Sequence, residues 1–234
     1  CTTSDTDQVA AMLPFSRRFL HRLLLSLAAF AAGGPVAAAS LTVTLTDQKG
    51  APVEDAVVYV VNVDGKIGPL KPQATQTVRI DQINKTFVPH VRAVVVGSNV
   101  NFPNSDNIRH QVYSQSEAKT FELPLYIGQP AAPVLFDKAG IVTLGCNIHD
   151  QMIGYILVLN TPWFAEVHDG KATIANVPAG HWAVEIWHPR LAQEKAVQLT
   201  LDATGGNDVT LNRQLDVLPK RMTMRAPHRG DSHY

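Results

Sequence analysis

Near the middle of the chain, Gly145-Cys146-Asn147-Ile148-His149-Asp150-Gln151-Met152 sets a thiol, an imidazole and a thioether at C-x2-H-x2-M spacing. All three are soft or borderline metal donors on one short loop. A second imidazole comes from NFPNSDNIRHQVYS, Asn101 to Ser114, which reads as a strand, a turn with Pro103, and His110 opening another strand. Two imidazoles and a thiolate in a trigonal set, with a distant thioether on the axis, are the donors of a copper electron-transfer site. Taken singly, each residue is ordinary: a lone Cys or Met is usually packing, and a lone His is usually satisfied or exposed. His90, His168, His181 and His188 have no spaced partners and read as structural or exposed. The combination carries the signal.

Holding such a loop requires rigid ends. LFDKAGIVTLG precedes it and IGYILVL follows it, both strand-like, so the donors should barely move when a bound ion changes charge. The rest of the chain after Ser40 has the same character. Leu41 to Leu45 alternates, Ala56 to Val61 is a β-branched run, and short apolar runs recur at Ala93 to Val96, Gly154 to Leu159, Trp182 to Trp187 and Ala196 to Leu201. Lys49-Gly50, Asp64-Gly65, Pro103-Asn104, Asp169-Gly170 and Pro178-Ala179-Gly180 punctuate them. No stretch shows helical periodicity, so the expected fold class is an all-β sandwich.

The N-terminal region predicts the compartment. Arg17, Arg18, His21 and Arg22 surround the start of an apolar run, Leu23 to Ala32, and Ala37-Ala38-Ala39 before Ser40 has the A-x-A form of a cleavage site. The run is short for a bilayer span. Residues 1–39 are therefore expected to be upstream sequence and a signal peptide, giving an exported, periplasmic chain with no membrane span after processing. Removal of Cys1 would leave Cys146 without a disulfide partner in an oxidising compartment, which favours a metal-held thiolate over a free thiol.

These motifs bear a resemblance to a known family. C-x2-H-x2-M has the spacing of amicyanin-like cupredoxins, the small blue copper proteins, while plastocyanin-like members share the C-x2-H start with a longer gap to methionine. VGSNVNFPNSDNIRHQVYS resembles the cupredoxin segment G-x-x-V-x-F/W-x-N-x-D that precedes the first histidine ligand. The resemblance covers about residues 86–159. It implies equatorial ligands His110, Cys146 and His149, an axial Met152, a surface-reaching His149 and a more enclosed His110. Ile148, Ile153 and Pro103 are expected to form an apolar rim there. Two positions depart from the pattern. Gln111 follows the first histidine in place of asparagine, whose amide ties the two ligand loops, and the longer side chain calls that tie into question. Asp150 replaces a proline and is expected to face solvent.

LTVTLTDQKGAPVEDAVVYVV, Leu41 to Val61, resembles the opening of carboxypeptidase-regulatory-like, transthyretin-like sandwiches, whose usual continuation appears only at Glu166 to Pro189. The expected organisation is a cupredoxin-like Greek-key copper domain, 77–160, inserted in a discontinuous transthyretin-like sandwich, 40–76 and 161–212, followed by a disordered tail, 213–234; the alternative is one enlarged sandwich. Leu41 to Val61 should then share a sheet with Lys171 to Ile174 and Trp182 to Trp187. Bacterial proteins labelled methylamine-utilisation or plastocyanin-like have a similar arrangement.

The charge balance of 20 basic and 20 acidic residues gives no argument for nucleic acid or an anionic membrane as partner. No acid/base pair or nucleophile constellation is legible, so an enzyme is not expected. The expected function is single-electron transfer through a type 1 (blue) copper site, with a redox partner that docks weakly and transiently. The alternative is non-redox copper binding or delivery.

Overall fold

The computed structural model describes residues 38–63, 77–130, 132–192 and 197–219. Seventeen strands follow in chain order: β1 (Ala38–Thr46), β2 (Val57–Asn62), β3 (Thr77–Arg79), β4 (Asp81–Ile83), β5 (Thr86–Val88), β6 (Val91–Val95), β7 (Ser98–Asn101), β8 (His110–Ser116) and β9 (Lys119–Tyr126). Then come β10 (Val134–Phe136), β11 (Gly140–Gly145), β12 (Ile153–Leu159), β13 (Phe164–Glu166), β14 (Lys171–Pro178), β15 (His181–Trp187), β16 (Val197–Asp202) and β17 (Val209–Gln214). The fold is all-β: no helix occurs among the described residues, and none there could cross a membrane.

Alternation explains β1. Ala39, Leu41, Val43 and Leu45 are buried while the threonines between them are half-buried, as one covered face of a pleated strand requires. β1 lies between β14, antiparallel, and β17, parallel. β2 lies in a different sheet, ordered β13-β2-β15-β16. Thus Leu41 to Val61 does pair with Lys171 to Ile174 and Trp182 to Trp187 across the long sequence gap, but in two sheets rather than one. The turn around Gly50 reverses the chain, and both sheets feed one core around Trp182, Val184, Ile174 and Leu45.

The second core lies between the sheet β6-β12-β11-β8-β9 and the short sheet β10-β7-β3. β12 is covered on both faces, which is why IGYILVL is nearly continuous in apolar residues. Its Ile156 and Val158 enter this core, and Leu157 and Leu159 enter a third cluster with Val57, Val91, Ala93 and Trp187. That cluster joins β12 and β6 to β2 and β15. Glu166 reinforces it, accepting from the Ala93 amide at 2.9 Å and pairing with Arg92 at 3.1 Å.

Two expected boundaries fall inside paired strands. β1 begins at Ala38, before the expected cleavage point, and Ala39 is buried. β17 continues to Gln214 and Leu215 is 1% exposed, so ordered chain extends past the start of the expected tail. The reason is pairing: β17 runs parallel to β1 as far as Thr46↔Gln214, and Leu215 closes the base of the first core. Residues 220–234, residues 1–37 and the Asp64-Gly65 turn lie outside the described residues.

Candidate metal centre

The Cys-to-Met loop is a tight connection between β11 and β12. The strands stay in register up to the pair Gly145↔Ile153, and the ligand-bearing residues 146–152 occupy the loop beyond it. The His149 amide donates to the Cys146 carbonyl at 3.4 Å and the Met152 amide to the His149 carbonyl at 2.8 Å, so the loop is coiled back on itself. Gly145 before the cysteine leaves room for a neighbouring side chain. A Cβ there would lie 2.8 Å from the Tyr113 ring, which covers this backbone from β8.

His110 arrives from the other side. β8 pairs with the edge strand β9, and the register shifts by one residue between His110 and Val112, opposite Pro124. Proline has no amide to give a ladder, so an edge strand at a bulge is where it fits. β8 accordingly starts with three consecutive buried residues, His110, Gln111 and Val112. The loop entering β8 is fixed by Asn104, whose side-chain amide donates to the carbonyls of Ile108 (2.9 Å) and Tyr126 (2.7 Å). Beneath it, the Gln82 side-chain amide donates to Tyr126 Oη at 2.6 Å and to the Pro103 carbonyl at 3.1 Å.

The result brings three of the sequence-predicted donors together. Ligand atoms of His110, Cys146 and His149 all lie within 4.8 Å of one another. Cys146 Sγ is 3.8 Å from His110 Nδ1, and the two imidazole centroids are 5.0 Å apart. Met152 is buried in the same core cluster as Cys146, and both border one surface groove. His110 is fully buried, and His149 is partly exposed.

Whether a metal ion fits can be judged from the donors themselves. His149 Nδ1 is buried and has no hydrogen-bond partner, a cost that buried polar atoms rarely bear unless something else binds them. His110 Nε2 sits 2.8 Å from the Asp106 carboxylate, which only accepts when ionised, so Nε2 carries a proton toward it and Nδ1 is the nitrogen that faces Cys146. Burial, then the neighbouring His110 and Lys85, hold His149 below its ordinary value, which favours the neutral, ligating form. Burial pushes the Asp106 carboxyl up, but the Lys85 amide, His110 and the Asn84 amide outweigh it and bring the group below its usual range. Two imidazoles, a thiol and a nearby thioether form a donor set that suits copper.

The surroundings correct two expectations. Gln111 does tie the ligand loops: its Oε1 accepts from Asn147 Nδ2 at 2.6 Å, and its amide donates onward to Glu122. The added methylene is absorbed because the partner is a side chain, Asn147, one residue after the cysteine. Pro103 is buried and takes no part in a surface rim, since its turn is drawn under the β4 strand. Ile148 and Ile153 are exposed as expected, at 50% and 41%, and Asp150 faces solvent. Among the other histidines, His168 and His181 are exposed, His90 pairs with Asp55 at 2.9 Å, and His188 is buried. The sequence reading missed Asn104, Asp106 and Gln82 as supports, although the first two stand in the motif before His110.

No protein-family model and no curated protein matches the chain. Solved structures similar to it include an oxidised variant of amicyanin (20% identity, 36% of this chain and 82% of that chain, TM-score 0.33). Others are a purple cupredoxin from Nitrosopumilus maritimus (20%, 35% and 99%, TM-score 0.32) and a copper-containing nitrite reductase from Thermus scotoductus (25%, 40% and 24%, TM-score 0.34).

Proposed function

We propose that this chain is an exported copper protein that carries single electrons, with a type 1 site formed by His110, Cys146 and His149 and an axial Met152. The observation that carries the reading is the convergence of two imidazoles and a thiol within 4.8 Å, one imidazole nitrogen being buried without a partner. When bound, copper supplies a one-electron couple between Cu(I) and Cu(II). The protein's part is to keep the donors still while charge changes. Strands β8, β11 and β12 anchor them, Gln111 links the two loops, and Asn104 braces the approach to His110.

His149 is the electron's port in this reading. It is the only one of the two imidazoles that reaches the surface, and Ile148 and Ile153 expose apolar surface on its loop. Weak redox encounters use small interfaces, so a modest patch with a transient partner suffices. We read the chain as a carrier and not an enzyme, working in the periplasm after removal of the N-terminal segment.

The same reading extends to organisation. Residues 77–160 act as a cupredoxin-like copper module inserted into a transthyretin-like sandwich made of 40–76 and 161–212. It is supported by the makeup of the cores: one draws only on residues before 61 and after 162, the other only on residues between 78 and 158.

Titration of purified protein with Cu(II) tests the site. One equivalent should give an intense visible thiolate-to-copper band, and Cys146→Ser should abolish it, because a hydroxyl cannot supply that transition. Blue colour persisting in the serine variant would overturn the assignment.

A further inference from the structure

Asp106 is placed with more care than a loop carboxylate needs. It stands four residues before His110, with its side chain only 11% exposed. Its Oδ2 accepts from His110 Nε2 at 2.8 Å and from the Lys85 amide at 2.9 Å, and its Oδ1 accepts from the Asn84 amide at 2.6 Å. Its own amide donates to Asn104 Oδ1 at 3.0 Å. One carboxylate thus joins the buried imidazole to a different hairpin of the fold.

That hairpin is built to meet it. β4 and β5 close with the pair Ile83↔Thr86, leaving the two-residue turn Asn84-Lys85. Both residues have positive φ, 54° and 61°, as a mirror-image hairpin turn demands. Asn tolerates that region, whereas Lys is uncommon there. The turn points two successive amides at one carboxylate, and charge-assisted hydrogen bonds of this kind are among the stronger ones available. Three donors on its two oxygens leave Asp106 little freedom, and through it His110 little freedom to rotate or to move its proton.

We propose that Asp106, clamped by the Asn84-Lys85 turn, is a positioning residue that fixes His110 with its proton on Nε2 and biases bound copper toward the oxidised state. The inference rests on the copper reading above. Its physical basis is that a carboxylate accepting from the outer nitrogen of a ligating imidazole raises the donor strength of the inner one. A stronger donor favours the more highly charged ion. Asp106 therefore lowers the reduction potential of the site while touching neither the metal nor the partner surface.

The variant that separates this role from loop support is Asp106→Asn, which keeps an acceptor oxygen at nearly the same size but removes the charge. Voltammetry and the visible spectrum of copper-loaded full-length protein and variant are compared. Loss of such an outer partner typically costs about 10-fold or more in metal affinity. If a 10-fold loss falls on Cu(II) alone, the potential rises by about 59 mV for one electron, with the visible band retained. A copper-loaded variant with the wild-type potential would overturn the role of Asp106. Wild-type protein that takes up no copper would instead overturn the copper reading itself. Should the variant not fold, nitrogen-15 NMR of the metal-free wild type decides the matter. His110 must carry its proton on Nε2, and a proton on Nδ1 would refute the clamp.

Discussion

Around Trp182 the interior of this protein is almost wholly apolar, while around Cys146 it also takes in Gln82, Asn104, His110, Gln111 and Ser114. Among the described residues, His188 is the one buried polar side chain that lies outside 77–160. The first core needs little beyond the alternation of its strands, because its inward side chains are aliphatic apart from indoles such as Trp182, whose N–H donates to the Pro178 carbonyl. The second core has many buried polar atoms to partner, and each one left unpaired costs on the order of 1–3 kcal/mol. Asn104 and Gln111 meet this by bonding to carbonyls and to Asn147, whereas Gln82 bonds through its amide nitrogen and leaves Oε1 without a partner. What their burial achieves is position: each of them braces a segment that ends in a candidate ligand.

The largest expected effect tests the independence of the two regions. Trp182 is 1% exposed and its indole donates to the Pro178 carbonyl at 2.9 Å. Trp182→Ala should cost about 3–5 kcal/mol in urea unfolding, with the copper spectrum unchanged in whatever remains folded. Loss of colour before unfolding would show that the apolar region also shapes the site.

His188 is where the apolar region behaves like the polar one, and pH exposes it. Burial, then the Arg190 charge, lowers its pKa from 6.5 to about 4. Below pH 6.5 the unfolded chain takes up a proton that the folded ring refuses, so stability falls with pH until the folded ring protonates near 4. At about 1.4 kcal/mol per unit, the loss attributable to this ring approaches ~3 kcal/mol. Urea midpoints of wild type and His188→Gln, compared from pH 7 to pH 4, should converge or cross as that loss accrues. A constant difference would contradict the shift.

A smaller effect is expected at the loop tie. Gln111→Ala removes the link between Asn147 and Glu122 and should cost about 1 kcal/mol, with copper released faster to a chelator. Unchanged release would mean that the strands alone hold the loops. Smallest of all in stability is Ile153→Lys, within about 0.5 kcal/mol for an exposed position. It should slow electron exchange with a partner and leave the copper spectrum alone. Unaltered exchange would place the port elsewhere.

The comparison also explains what could be read from sequence. Alternation in β1 and the continuous apolar run of β12 are local patterns, and the Cys146, His149 and Met152 spacing is local too. His110 needed only a strand-turn-strand reading. The failures are non-local. Asp106 was visible in its motif, but its role depends on Asn84 and Lys85, which reach it through space from another hairpin. Gln111 read as a broken tie because nothing in the chain's order pairs it with Asn147. Pro103 read as a surface turn because the β4 strand that covers it is distant in sequence. Leu215 was lost in a basic, proline-containing stretch, and only parallel pairing of β17 with β1 draws it inward. The single sheet expected for Leu41 to Val61 became two, because the turn at Gly50 folds the segment across the core.

The most direct measurement is a crystal structure of the copper-loaded protein with anomalous data collected at the copper edge. The expected result is a single peak among His110 Nδ1, Cys146 Sγ and His149 Nδ1, with Met152 facing it. A peak at any other histidines, or none within this triad, would contradict the proposed copper site.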